Sequence, residues 1–109
     1  MRAVFQPHRY GRSEQEWPLY AQALEQADET LLLDVYAAGE APLQLTSAQI
    51  AQRILEHLRA KGRRASYQSW ESTLDYLRQS AAPGELILTI GAGNVFRLGR
   101  LLVTEKEAV

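Results

Sequence analysis

Arg9 and Arg12 stand three residues apart in the string Gln6-Pro7-His8-Arg9-Tyr10-Gly11-Arg12, directly after a short apolar segment. Two guanidiniums at this spacing can both fork-bond one carboxylate, because each presents a planar set of N–H donors. The competing arrangement is a pair of surface arginines held by Glu14 or Glu16. His8 suits a base or a hydrogen-bonding tether. With only one other histidine, His57 in a helical segment, no metal site is expected. A second stretch with chemistry in it is Gly91-Ala92-Gly93-Asn94, between an apolar run and a helical pattern. Its glycines permit positive φ and close approach of a ligand, and the free N–H groups that begin a helix favour a carboxylate or phosphate. Only part of a GxGxxG spacing is present, so a turn that merely reverses the chain explains the same residues. Asp34, Tyr36 and Glu40 form a third group. Its carboxylates could steer an ammonium or cap backbone N–H groups, and Tyr36 could simply pack on its own loop.

These loops need elements to hold them. Ala3 to Phe5 reads as a strand stopped by Pro7. A helix follows with Trp17, Tyr20, Ala21, Leu24 and Ala27 on one face; Ser13 and Glu16 fit a capping box, but Pro18 suggests a regular start nearer Trp17. Thr30 to Val35 is an apolar run suited to an interior parallel strand. Thr46 or Ser47 caps a helix with Ile50, Ile54, Leu55 and Leu58 inward, closed by Gly62. A short strand around Ala65 to Tyr67 leads to a helix capped by Ser69, with Trp70, Leu74 and Leu77 inward. Leu86 to Ile90 reads as a buried strand, followed by a helix with Val95, Leu98, Leu101 and Leu102 on one face. Strict strand–helix alternation predicts an α/β fold, a Rossmann-like three-layer sandwich with a mainly parallel sheet of about four strands and four helices. In such a sheet all strands end on one edge, where ligands bind, so the three groups of residues above converge there.

Composition narrows the classes of function. A chain of 109 residues with 46% hydrophobic content suits one domain with a small core. A formal net charge of −1 supplies no broad positive field for nucleic acid. The cluster Arg59, Lys61, Arg63, Arg64 reads as a solvated helix end and loop. Without cysteine there is no disulfide or thiolate chemistry. No apolar run approaches the roughly 20 residues of a membrane span, so no membrane partner is expected and the cytoplasm is the default compartment.

The strings VFQPHRYGR at Val4 to Arg12, LLLDVYAAGEAP at Leu31 to Pro42 and ELILTIGAGN at Glu85 to Asn94 resemble the carboxyl-terminal domain of the Mur ligases of peptidoglycan synthesis. The branch resembled is the one that joins L-alanine to UDP-N-acetylmuramate, and the order and spacing agree over nearly the whole chain. PHRY-x-R is the most specific string, because the sister ligase that attaches whole peptides differs there. The resemblance implies a domain over residues 1–104 with a tail at 105–109, following an amino-terminal UDP-sugar domain and a central ATP-binding domain. It implies a reaction in which the muramate carboxylate becomes an acyl phosphate that the amine of alanine attacks. It also implies that Arg9 and Arg12, with His8 beside them, hold the carboxylate of L-alanine, and that Gly91, Ala92, Gly93 and Asn94 lie near the incoming amino acid.

The chain departs from the family in several places. No GxxxxGK[ST] phosphate loop is present, since Lys61-Gly62 is reversed and ends a helix. The family's preceding strand and helix, with their acidic and His-rich turn, are missing. Gly11 stands where the family has Ser or Thr, and Ala38 where Pro is common. The chain by itself is therefore expected to bind neither ATP nor Mg²⁺ and not to complete the reaction. UDP-N-acetylmuramate and ATP would come through upstream domains. An open sheet edge invites a homodimer. Two other classes fit the same residues: a stand-alone module that binds a small ligand, and an interaction protein that pairs through the sheet edge.

Overall fold

The computed structural model describes residues 1–91 and 95–107. Its elements alternate in chain order: β1 Arg2–Gln6, α1 Tyr10–Leu24, β2 Glu29–Leu32, α2 Ser47–Ala60, β3 Arg64–Tyr67, α3 Trp70–Ser80, β4 Ile87–Gly91 and α4 Val95–Glu107. The strands lie in the order β3-β2-β1-β4, and every neighbouring pair is parallel. This is the α/β sandwich that the alternation predicts. Side chains along β1 explain its three layers. Ala3 and Phe5 point to one face, into a core with Ala21 and Leu24 of α1 and Ile50, Ile54 and Leu58 of α2. Val4 points to the other face, where it joins Leu31, Leu74 and Leu77, with Val95, Leu98 and Leu102 of α4. A strand buried on both faces must be apolar at every central position, and Ala3, Val4 and Phe5 are all buried.

The helices form for the reasons their sequences give. Thr46 accepts from the Gln49 N–H at 3.2 Å while Gln49 Oε1 accepts from the Thr46 N–H at 2.9 Å, a reciprocal cap that starts α2. Ser69 Oγ accepts from the Ser72 N–H at 3.0 Å and starts α3. The first helix departs from expectation. It begins at Tyr10 rather than near Trp17 and carries Pro18 inside. Pro18 removes one helical hydrogen bond, but it sits on the exposed side, where water can take up the freed carbonyl of Glu14. Ser13, Ala21 and Leu24 are buried on the other side and hold both halves to the sheet.

The fourth strand departs too. The run Leu86 to Ile90 reads as fully buried, yet β4 is an edge strand, and Leu86, Leu88 and Ile90 are 57%, 40% and 39% exposed. Leu88 and Ile90 pair with Ala3 and Phe5 in register, so they face the side of α1 and α2. The last helix continues through Glu107, into the stretch expected as a tail.

At the amino ends of the strands, far from the ligand edge, Arg2 is buried among acceptors. Its guanidinium bonds Glu85 through two nitrogens, Ser80 Oγ at 2.8 Å, and approaches Glu29 Oε1 at 3.6 Å. Tyr76 donates its hydroxyl to Glu29 at 2.9 Å. The Arg2 hydrogen bond, with the Ala82 N–H behind it, holds the Glu85 carboxyl down to about 2. This cluster fastens the end of α3 and the start of β4 to the two interior strands.

Candidate functional site

The chain order β1-β2-β3 runs outward with α1 and α2 on one face, and then returns past β1 to β4 with α3 and α4 on the other. The reversal falls between β1 and β4. Helices diverge at the carboxyl ends of these strands, which leaves the crevice where ligands of open parallel sheets bind. Gly91 closes β4 there with φ of 129°. A Cβ at this position would lie 2.3 Å from the carbonyl oxygen of Gln6, so only glycine lets the two strands stay paired to their ends. Ala92, Gly93 and Asn94, the rest of the expected ligand loop, lie outside the described residues.

Pairing between β1 and β2 continues beyond the regular strands. Leu33 N–H donates to Phe5 O at 2.9 Å, Tyr36 N–H to Pro7 O at 2.8 Å, and Arg9 N–H to Tyr36 O at 2.8 Å. His8 and Tyr36 form a parallel bridge, and their rings stack with centroids 5.7 Å apart and planes at 19°. His8 is thus a half-buried ring held against Tyr36. Arg9 follows with φ of 65°, uncommon for a residue with a side chain. The kink turns the chain out of the sheet into α1 and makes Arg9 the residue before the helix.

Arg9 does not cap α1 with its side chain. Glu40 does so from the next loop: its Oε1 accepts from the N–H groups of Tyr10 at 3.1 Å and Gly11 at 3.4 Å. Of the two roles open to Glu40, the structure shows the backbone cap, and this ties the loops after β1 and β2 together. The Arg9 guanidinium is exposed and makes no ion pair among the described residues. Arg12 is different. Its Nε meets Glu16 Oε2 at 3.1 Å, one turn further along the helix, and Tyr20 donates to the same oxygen at 3.0 Å. That contact raises the Arg12 guanidinium and lowers the Glu16 carboxyl from their ordinary values. Both groups face solvent, so the pair is weak and exchangeable. Glu14 accepts from the Gln44 N–H at 3.2 Å instead of pairing with either arginine.

The opposite face of the same edge holds residues that sequence reasoning passed over. A cleft of about 480 Å³ is lined by Gln6, Asp34, Ser69, Trp70, Glu71 and Arg97, among others. Asp34 is the member foreseen, and it accepts a hydrogen bond from the Tyr67 hydroxyl. Burial, then this bond, pushes the Tyr67 hydroxyl up to about 12. Gln6 had a readable signal: Arg2, Val4 and Gln6 alternate onto one face of β1, so a polar residue at the third position must lie under α3 and α4. Among the described residues no group of three or more His, Asp or Glu side chains could hold a metal ion, and no helix is long and apolar enough to cross a membrane.

Comparison with known proteins places the chain among a set of relatives. No family model matches it. It is 40% identical over 105 residues to a UDP-N-acetylmuramate:L-alanine ligase of Deinococcus radiodurans, covering 94% of this chain and 21% of that protein. Proteins of the same name from a Geobacter species and from Pelotomaculum thermopropionicum are 37% and 41% identical over 96% and 92% of this chain. The chain spans about a fifth of the length of these relatives.

Proposed function

The chain is a member of the Mur ligase family over the one stretch it shares with UDP-N-acetylmuramate:L-alanine ligases, and from that premise we propose that it is their amino-acid-holding carboxyl-terminal domain. In this reading Arg9 and Arg12 grip the carboxylate of L-alanine at the end of β1. The amine of alanine would then attack the carbonyl carbon of a muramate acyl phosphate, made from ATP on the other domains, forming the amide as the acyl C–O bond breaks and inorganic phosphate leaves. The observation that carries the reading is Arg9: a strained, backbone-anchored residue at the switch point whose guanidinium is exposed and has no ion pair among the described residues. Arg12 joins it by releasing Glu16, an exchange that the weakness of an exposed pair permits. ATP and Mg²⁺ belong to the rest of the ligase, because this sequence carries no phosphate loop.

Supplying the other ligase domains of a relative in trans tests the proposal. Purified chain mixed with them should restore ATP-dependent joining of L-alanine to UDP-N-acetylmuramate, and neither part should do so alone. Turnover by the upstream domains without this chain would refute the assignment. A second reading is favoured by the open flank of β4, where Leu86, Leu88 and Ile90 are exposed on one row. An uncovered apolar edge suits strand addition by a second copy, giving a homodimer.

A further inference from the structure

The cleft between α3 and α4 has an unmet requirement at its inner wall. Gln6 is 9% exposed, and its Nε2 donates to the backbone carbonyl of Asp34 at 3.3 Å. Only the amide nitrogen can face a carbonyl, so the orientation is fixed and the other atom is the acceptor Oε1. That oxygen is buried and has no partner among the described residues. A buried acceptor of this kind calls for an N–H or O–H donor. The charges nearby decide which donor. Asp34 and Glu71 line the same cleft, and neither carboxylate forms an ion pair among the described residues. Three acceptors grouped at one end of the cleft favour a cationic donor, and a primary ammonium has three N–H bonds to share.

Arg97 is the one cation on the lining, exposed and without an ion pair among the described residues. It suits a carboxylate. Leu33 and Leu101 add apolar wall beside the half-buried ring of Trp70. The volume of about 480 Å³ leaves room for a large side chain against that wall. We propose that this cleft binds a zwitterionic amino acid with a bulky apolar side chain, its ammonium on Gln6 Oε1 and Asp34 and its carboxylate on Arg97. The site lies on the face of the sheet away from α1, apart from Arg9 and Arg12, and does not rest on their role.

L-leucine is the probe, with isoamylamine and 4-methylpentanoate as its two halves. Titrated into the labelled chain, L-leucine should give saturable NMR shifts of the Trp70 indole and the Gln6 side-chain amide, with a dissociation constant of about 1 mM or below. Arg97→Ala should weaken L-leucine roughly tenfold and leave isoamylamine unchanged, while Asp34→Asn should weaken both. Gln6→Leu should abolish the response, with circular dichroism checking that it folds; Arg97→Ala, at an exposed position, keeps the test independent of that check. No saturable shift at about 10 mM L-leucine would overturn the proposal and leave Gln6 to water. Binding unchanged by Arg97→Ala, or lost in Arg9→Ala, would also overturn it, the latter by moving the site to the arginine loop.

Discussion

Gly91→Ala should unfold the edge on which the site is built. The added methyl would sit 2.3 Å from Gln6 O and 3.2 Å from Gln6 C, so backbone must move against backbone rather than a side chain swinging aside. The φ of 129° adds conformational strain of about 1 to 2 kcal/mol for a residue with a Cβ. Forcing the two strand ends apart adds about 1 to 3 kcal/mol, as overpacking does elsewhere. Together these give a loss of about 2 to 5 kcal/mol, or a melting temperature lower by roughly 10 to 30 °C for a domain of this size. Gly99→Ala is the matched control. There the new methyl would meet the side chain of Thr89, nearest at Cγ2, 3.2 Å away, within a helix that gains about 1 kcal/mol from alanine. Urea unfolding of both variants measures the difference. Equal stabilities, or a loss under about 1 kcal/mol in Gly91→Ala, would refute the close-approach argument.

Three further outcomes follow from the same structure. Arg2→Met leaves the buried Glu29 with only the exposed Arg64, at 3.8 Å, and unpairs Glu85, and should destabilise the chain by about 1 to 3 kcal/mol in urea; a change below about 1 kcal/mol would show the cluster to be dispensable. Because Glu85 titrates in the folded state at about 2 against an ordinary 4.5, the unfolded chain binds the extra proton between those values. Its stabilising contribution is therefore complete above pH 4.5 and fades as pH falls toward 2; Glu85→Gln should flatten the dependence of the urea midpoint on pH in that window, and parallel curves would count against it. Leu88→Lys should leave folding intact and prevent self-association, as read by sedimentation, and a dimer that survives it does not use the β4 edge.

Elements whose signals are local were legible. A cap at Thr46 or Ser47 and the row Ile50, Ile54, Leu55, Leu58 specify α2 within a single stretch of chain; the structure chooses Thr46 as the cap, and the face and glycine-marked end agree. The Leu run before Asp34 likewise marks an interior strand, because burial on both faces favours apolar residues at Leu31 and Leu32, although β2 itself begins earlier, with the buried polar residues Glu29 and Thr30. Leu86 to Ile90 shows the limit. Its apolar residues resemble those of β2, but whether a strand is interior or at an edge depends on how many neighbours the rest of the chain supplies. Pro18 misled for a related reason: its local penalty is outweighed by tertiary packing that the periodicity does not weigh.

The site divides in the same way. The convergence of the loops at one edge follows from parallel alternation alone, and Glu40 as a backbone cap was one of two readings open from its loop position. The positive φ of Arg9 and its tie to Tyr36 O arise from pairing beyond the strand ends, between segments far apart in sequence. Nothing in PHRYGR announces them.

The central claim is that Arg9 and Arg12 hold an amino-acid carboxylate. It is tested most directly by the Michaelis constants of Arg9→Ala and Arg12→Ala in the ligase reassembled with its upstream domains. Each guanidinium removed should take away a charge-assisted bond of about 1.5 to 3 kcal/mol and raise the constant for L-alanine roughly ten- to a hundredfold, with that for ATP nearly unchanged. Lysine at either position should rescue only in part, since it keeps the charge and loses the fork. An unchanged constant for L-alanine in both variants would contradict the account.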